Sequence, residues 1–347
     1  MSIRENRARR PVILITGANG EMGHGLIRAI AAKADADLVV VDLRPLDRDL
    51  REFVHAWHVG DILDAQLMQR LVAEYEVTTI FHLAALLSTR AEFSPETAHQ
   101  VNVSGTLELL RLAHQQSSWS GQRTTFLFPS SIAVYGVPDL AKKAEMPPLR
   151  EIEYTTPSTM YGCNKLYCEH LGRYYAEHYQ QLAAKPASGG VDFRAIRFPG
   201  LISADTLPSG GTSDFGPEMI HAAASGRPYD CFVREESTIP FMSMADGVRA
   251  LLGLWQAPEA SLSQRTYNVT SFSVSAADFR RRVLADFPAA EINFVPHLKR
   301  QAIVDTWPRE VDDSPARTDW GWSPEHNFEN AFSEYLVPRI RARYAND

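Results

Sequence analysis

Tyr161 and Lys165 stand four residues apart in TMYGCNK, and helical spacing puts both side chains on one face. A phenol titrates near 10 and is protonated at neutral pH, whereas a neighbouring ammonium favours the phenolate. Bringing that phenol to near 7 takes roughly 4 kcal/mol of differential stabilisation, which Lys165 and a second positive charge can supply together. Such a tyrosine can take the proton of a substrate hydroxyl as general base. Upstream, a strand-like stretch runs into PSSIAVYG, so Ser130 and Ser131 fall at the carboxyl end of a parallel strand, where open α/β sheets bind ligands. Ser131 is the residue expected to hold the reacting oxygen.

A second constellation lies near the start. The run TGANGEMG sets Gly17, Gly20 and Gly23 three residues apart between an apolar strand and a helical pattern, with Glu21 and Met22 opening that helix. Glycines there let the backbone turn tightly and approach a pyrophosphate, which rests on the positive end of the helix. Asp42 ends the next strand, where its carboxylate can accept both ribose hydroxyls of NAD and repel the extra phosphate of NADP. The expected cofactor is therefore NAD, although Arg44, two residues on, is a group that favours NADP. Its oxidised nicotinamide is the second positive charge that Tyr161 needs.

The elements that must position these groups follow from hydrophobic periodicity. Val12–Ile15, a helix through Leu26, Ile27 and Ile30, and Leu38–Val41 read as β-α-β. The alternation continues through a helix over Ala65–Tyr75, a strand Thr79–Leu83, a helix from Ser94 to Gln115, a strand Thr125–Phe128 and a helix over Tyr161–Gln180. This pattern predicts an α/β fold, a Rossmann-type doubly wound parallel sheet, with a smaller, mainly C-terminal substrate domain. Residues 11–200 with a returning segment near 238–257 form the expected nucleotide-binding domain, and 201–237 with 258–347 the smaller one. Proline and glycine punctuate Pro186–Gly190, Pro199-Gly200 and Pro208–Gly211.

Composition narrows the classes. With 347 residues, 45% apolar and 22% charged, the chain is globular rather than disordered. A net charge of −7 provides no basic field for nucleic acid. The longest apolar run, Leu83–Leu87, is far too short to span a bilayer. Arg4–Arg10 reads as a solvated arm before the first strand. Cys163, Cys168 and Cys231 form no CxxC and are expected to be buried thiols in a reducing cytoplasm. The eleven histidines show no HExxH or paired Cys/His spacing, so no metal is expected.

Together the glycine pattern, Asp42, HLAA from His82, VNVSGT around Asn102, Ser131 and Tyr161/Lys165 resemble the extended short-chain dehydrogenase/reductase superfamily. The resemblance spans nearly the whole chain. It implies that Asp61 and Ile62 flank the adenine, that Leu83, Ala84, Ala85 and Asn102 line the cofactor, and that Pro199 lies near the nicotinamide. The second half, with RFPGLIS, PSGGTSDF, TYNVTSFSVS and RQAIVDTWPREVDDSPARTDWGW, is similar to the short-chain-type L-threonine 3-dehydrogenases. That resemblance implies oxidation of the L-threonine β-hydroxyl, with Ser88 and Thr212 contacting the amino-acid end of the substrate, Trp307 covering the site, and a homodimer. Thr89-Arg90 departs from the small residue usual after the serine of ALLS. Asp313-Ser314-Pro315 reads as a helix start with Asp313 as its cap, and Gly210-Gly211 as a mobile closing loop.

Two other readings use the same scaffold. One is a nucleotide-sugar epimerase or dehydratase, or a dehydrogenase of another small hydroxy acid. The other is an NAD-binding redox regulator, which has no need of the Tyr/Lys pair.

Overall fold

The computed structural model describes residues 10–184, 189–208 and 210–345. The expected basic arm therefore lies, apart from Arg10, outside the described residues, as does part of the Pro186–Gly190 break. The chain begins β1 (Pro11–Thr16), α1 (Glu21–Ala31), β2 (Asp37–Asp42), β3 (Ala56–Val59), α2 (Ala65–Glu74) and β4 (Glu76–His82). It continues through α3 (Ser88–Phe93), α4 (Pro95–His99), α5 (Gly105–Ser120), β5 (Thr124–Ser131), α6 (Leu140–Glu145), α7 (Met160–Glu177) and β6 (Val191–Phe198). After β7 (Gly200–Ile202), α8 (Phe215–Ala224), β8 (Tyr229–Cys231), β9 (Thr238–Ser243) and α9 (Met244–Gln256) come β10 (Thr266–Asn268), β11 (Phe272–Ser275), α10 (Ala276–Asp286), β12 (Ile292–Phe294), α11 (Leu298–Asp305) and α12 (Ser314–Trp320).

Seven strands form a parallel sheet in the order β10-β6-β5-β4-β1-β2-β3. The order reverses between β1 and β4, the switch point of a Rossmann-type doubly wound fold, where ligands bind beyond the carboxyl ends of the strands. The expected fold class is the observed one.

The chain gathers into two compact units that interleave in sequence. One comprises the residues up to Ala85, Gln100–Phe128 and His170–Arg194; the other comprises Leu86–His99, Pro129–Glu169 and Ala195 onward. In the first, Val12–Ile15 and Leu38–Val41 are buried in adjacent strands, and α1 buries Leu26, Ile27 and Ile30 on one face. Asp64 starts α2 by accepting from the amides of Gln66 and Leu67. In the second unit the core is aromatic. Phe279 meets Phe215, Phe241 and Phe328 edge-on, a geometry the ring quadrupoles favour.

Several sequence expectations are corrected. The single helix expected over Ser94–Gln115 is broken into α4 and α5 by a π-helical turn, Gln100–Ser104, that contains Asn102. There the Thr106 hydroxyl donates to the Asn102 carbonyl at 2.6 Å, and α5 begins at Gly105, where a Cβ would come within 2.4 Å of Ile62. Asp313 precedes α12 but does not cap it. Its carboxylate takes Arg317 at 2.7 and 2.9 Å and the Trp322 indole at 3.1 Å, while Asp312 accepts the Ser314 amide at 2.9 Å. Cys168 and Cys231 are buried, but Cys163 is exposed. The helix expected to reach Gln180 ends at Glu177, and Gln180 itself has a φ of 50°.

Candidate active site

The glycine turn follows β1 directly, and two of its glycines are dictated by the protein's own packing. Gly17 has a φ of +71°, and a Cβ there would lie 2.7 Å from the Ala84 amide as the chain leaves β4; at Gly23 it would lie 2.3 Å from the Ala18 carbonyl. Gly20 is different. A Cβ there meets only the Gly17 carbonyl, at 3.2 Å, a tight contact that a shift of a few tenths of an ångström would relieve, so packing presses less on this exposed position than on the other two. The cradle thus fits a dinucleotide pyrophosphate at the amino end of α1.

Asp42, at the end of β2, accepts from the Asn19 amide at 2.9 Å with one oxygen and from the Arg44 amide at 3.1 Å with the other. Each oxygen keeps a lone pair for a ribose hydroxyl. Asn19 locks this corner further, donating to the Arg44 and Pro45 carbonyls and accepting the Asp47 amide. Leu83, Ala84 and Ala85 are half-buried beyond β4, within the same unit, as is the buried Asn102. The Asp61 carboxylate accepts the Leu63 amide at 2.9 Å in its own turn, and Ile62 packs at Gly105.

His82 was read only as part of a motif, yet it ties this end of the sheet together. Its buried ring bonds Thr16 at 2.8 Å and Thr106 at 3.0 Å, and Thr16 in turn accepts the Ala84 amide at 3.3 Å.

In the second unit α7 carries the expected pair. The half-buried Tyr161 lies near Ser131, whose hydroxyl is close enough to lower the phenol. Lys165 is buried, its ammonium 5.5 Å from the Tyr161 ring centre and donating to the Pro129 carbonyl at 2.7 Å. Burial pushes the Tyr161 phenol well above its ordinary value, with the Ser131 hydroxyl pulling it back in part. Burial likewise lowers the Lys165 ammonium to about 8, against the opposing pull of Cys168 and Glu169. The protein's own groups therefore hold the phenol protonated, and Lys165 alone does not make it a phenolate. Ser131 also accepts the Ala133 amide at 3.1 Å, which fixes its rotamer.

The remaining candidates divide. Ser88 and Thr212, 124 positions apart, meet: the Thr212 amide and hydroxyl both reach the Ser88 hydroxyl at 3.4 Å. The adjoining turn is held rather than free, since Thr89 donates to the Gly210 carbonyl at 2.6 Å and Arg300 to that of Gly211 at 2.7 Å. Thr89, the departure noted in the sequence, thus has a definite contact, while Arg90 is exposed on α3. Trp307 lies inside the second unit's apolar core at 4% exposure, and Pro199 is buried after β6. Sequence reasoning missed Glu92, whose carboxylate accepts the Met160 amide at 2.8 Å and so caps the helix that carries Tyr161. No group of three or more His, Cys, Asp or Glu that could hold a metal occurs among the described residues. None of their helices is long and apolar enough to cross a membrane.

Residues 13–270 match the family described as the NAD dependent epimerase/dehydratase family. The mitochondrial L-threonine 3-dehydrogenase of Bos taurus is 33% identical over 321 residues, 91% of this chain and 79% of that protein. The crystal structure of L-threonine dehydrogenase from Phytophthora infestans is 32% identical with a TM-score of 0.81, covering 96% of this chain and 99% of the other. A monomeric L-threonine 3-dehydrogenase from a metagenome is 34% identical with a TM-score of 0.81, over 96% and 99% of the two chains.

Proposed function

The chain belongs to the NAD dependent epimerase/dehydratase family, and on that premise we propose that it oxidises the β-hydroxyl of L-threonine to 2-amino-3-oxobutyrate with NAD as cofactor. What carries the reading is the meeting of Tyr161, Ser131 and Lys165 on one helix face and one strand end, in a chain one-third identical to L-threonine 3-dehydrogenases. The Gly17–Gly23 turn would hold the pyrophosphate and Asp42 the ribose hydroxyls, with Asp61 and Ile62 toward the adenine and Pro199 toward the nicotinamide. Leu83, Ala84, Ala85 and Asn102 would line the same cofactor.

Bound NAD would supply the acceptor for the hydride of the β-carbon. Ser131 holds the substrate hydroxyl, and Tyr161 takes its proton as the carbon–oxygen bond becomes a carbonyl. For that, the phenol must first give up its own proton to solvent, and the Lys165 ammonium, together with a positive nicotinamide, would stabilise the phenolate that then accepts the substrate's proton. Ser88 and Thr212 would bind the amino-acid end. The covering role that the resemblance implies for Trp307 is not kept, because its ring is packed in the core. The three thiols fit a reducing compartment. A homodimer is the expected assembly, and sedimentation at the monomer mass would overturn it.

The test is NADH formation from L-threonine, with L-serine, L-allo-threonine and UDP-glucose alongside, in wild-type protein and in Tyr161→Phe. A signal confined to threonine, lost in Tyr161→Phe while calorimetric NAD binding persists, supports the assignment. Turnover of a nucleotide sugar and not threonine, or undiminished turnover in Tyr161→Phe, sinks it.

A further inference from the structure

Tyr161, Lys165 and Glu169 succeed one another at four-residue intervals along α7, and each meets one of three consecutive residues at the end of β5. Tyr161 lies near the Ser131 hydroxyl, Lys165 donates to the Pro129 carbonyl, and Glu169 accepts from the Ser130 hydroxyl. The first two rungs belong to the reaction already described. The third does not, and it is built at considerable expense.

Glu169 and Ser130 are 5% and 2% exposed, and the carboxylate is neutralised by Arg197 on β6, itself 3% exposed, through two parallel bonds of 2.9 and 2.6 Å. Arg197 spends its remaining nitrogen on the Glu151 carbonyl at 2.6 Å and the Tyr135 hydroxyl at 3.1 Å, and Tyr135 passes the network to Asn268 on β10 at 2.8 Å. A buried ion pair usually contributes little net stability compared with apolar residues of the same volume. Its retention beside two catalytic groups calls for another use, and fixed geometry is that use.

We propose that Glu169, held by Arg197 and bonded to Ser130, is a positioning residue that sets the register of the catalytic helix against β5, and so the placement of Tyr161 against Ser131. The proposal rests on the catalytic reading of Tyr161 and Ser131 given above. Ser130 presents its hydroxyl to Glu169 while its neighbours on either side present groups to Tyr161 and Lys165. Lys165 uses the backbone of Pro129 rather than its side chain, so the helix meets one main-chain group and two side-chain groups of the strand. Loss of the third rung leaves α7 facing the end of β5 through the two groups that must also serve the substrate. A misplacement of the order of 1 Å at a reacting centre lowers turnover roughly 100-fold.

The experiment compares Ser130→Ala, Ser130→Thr and the apolar double variant Glu169→Leu/Arg197→Met in the full-length chain. Ser130→Ala is expected to lower kcat with threonine by roughly 10- to 100-fold, with KM for NAD and calorimetric NAD affinity unchanged. Ser130→Thr, which keeps the hydroxyl, restores kcat to within about threefold of wild type. The double variant, free of any unpaired charge, folds, binds NAD and shows the same loss of kcat. Full activity in both Ser130→Ala and the folded double variant would reduce the network to packing and overturn the proposal, as would failure of Ser130→Thr to rescue. If the wild-type protein forms no NADH from threonine, the functional reading fails separately. Hydrogen exchange over residues 160–169 then decides for register if Ser130→Ala accelerates it and Ser130→Thr does not, and against it if neither does.

Discussion

Replacing Lys165 by methionine should stabilise the fold while abolishing turnover, and the balance should reverse with pH. Burial brings this ammonium from 10.5 to about 8; at about 1.4 kcal/mol per unit, the folded state carries a penalty of about 3 kcal/mol for holding it charged. Methionine matches the slot in length and removes that penalty, but it leaves the Pro129 carbonyl without its 2.7 Å donor, at a cost of about 1–3 kcal/mol. The net gain at pH 7 is about 1 kcal/mol. Because the folded pKa lies below the unfolded one, the unfolded state binds the extra proton between about pH 8 and pH 10.4, and the wild-type protein regains stability as pH rises through that window. The methionine variant has no such slope. Urea unfolding at pH 7 and pH 10.4 should therefore show Lys165→Met more stable than wild type at the lower pH and less stable at the higher. Its kcat should fall by roughly 100- to 10,000-fold at pH 7, through loss of the charge that supports proton transfer. A stability difference of the same sign and size at both pH values would refute the account of Lys165 as a charge buried against its preference.

Three further outcomes follow from distances already given. Asp42→Ser should reduce the NAD-to-NADP ratio of kcat/KM at least tenfold; an unchanged ratio would remove Asp42 from cofactor selection. Gly23→Ala forces a Cβ to within 2.3 Å of the Ala18 carbonyl and should destabilise the fold by about 1–3 kcal/mol in urea unfolding, whereas Gly20→Ala should fold almost normally and lose at least tenfold in NAD affinity by calorimetry. Equal stability losses in the two variants would contradict the division between packing and ligand glycines. Thr89→Val removes the donor to the Gly210 carbonyl and should raise KM for threonine about five- to tenfold with KM for NAD unchanged; a change in neither parameter would deny the tether a role in substrate binding.

The parts of the site legible in the sequence are those set by local periodicity. The four-residue spacing of Tyr161 and Lys165, the glycines after β1 and the carboxylate after β2 each follow from a single element and its neighbour, and the alternation of strands and helices gives the doubly wound order. What escaped reading depends on contacts between distant segments. Ser88 and Thr212 are placed together in advance only by the family resemblance and not by either local segment, and Glu169 and Arg197 are ordinary charges in the sequence until a helix and a strand bring them together across 28 positions. Local rules misled at Asp313, where the carboxylate answers an arginine and an indole instead of the helix amides, and at Asn102, where a π-helical turn interrupts an unbroken helical pattern. Glu92 carries no motif, yet it caps the catalytic helix from α3.

The two shifts at the centre of the site point to how its chemistry is timed. Burial raises the Tyr161 phenol and lowers the Lys165 ammonium, so the surroundings favour the neutral form of both. A phenolate waiting at neutral pH would have to be stabilised by groups of the protein itself, and the Ser131 hydroxyl opposes burial without overcoming it. In the proposed reaction the charge that tips the balance would arrive with the ligands: a positive nicotinamide would favour loss of the phenol's own proton to solvent, leaving a phenolate to take the proton of the substrate hydroxyl. On that proposal Tyr161 would become competent as a base only in the loaded site, with no strong proton acceptor exposed in the free protein. That arrangement places its demand on geometry rather than on a preset ionisation, and it accounts for a catalytic helix fixed to β5 at 161, 165 and 169 and capped at its amino end by Glu92.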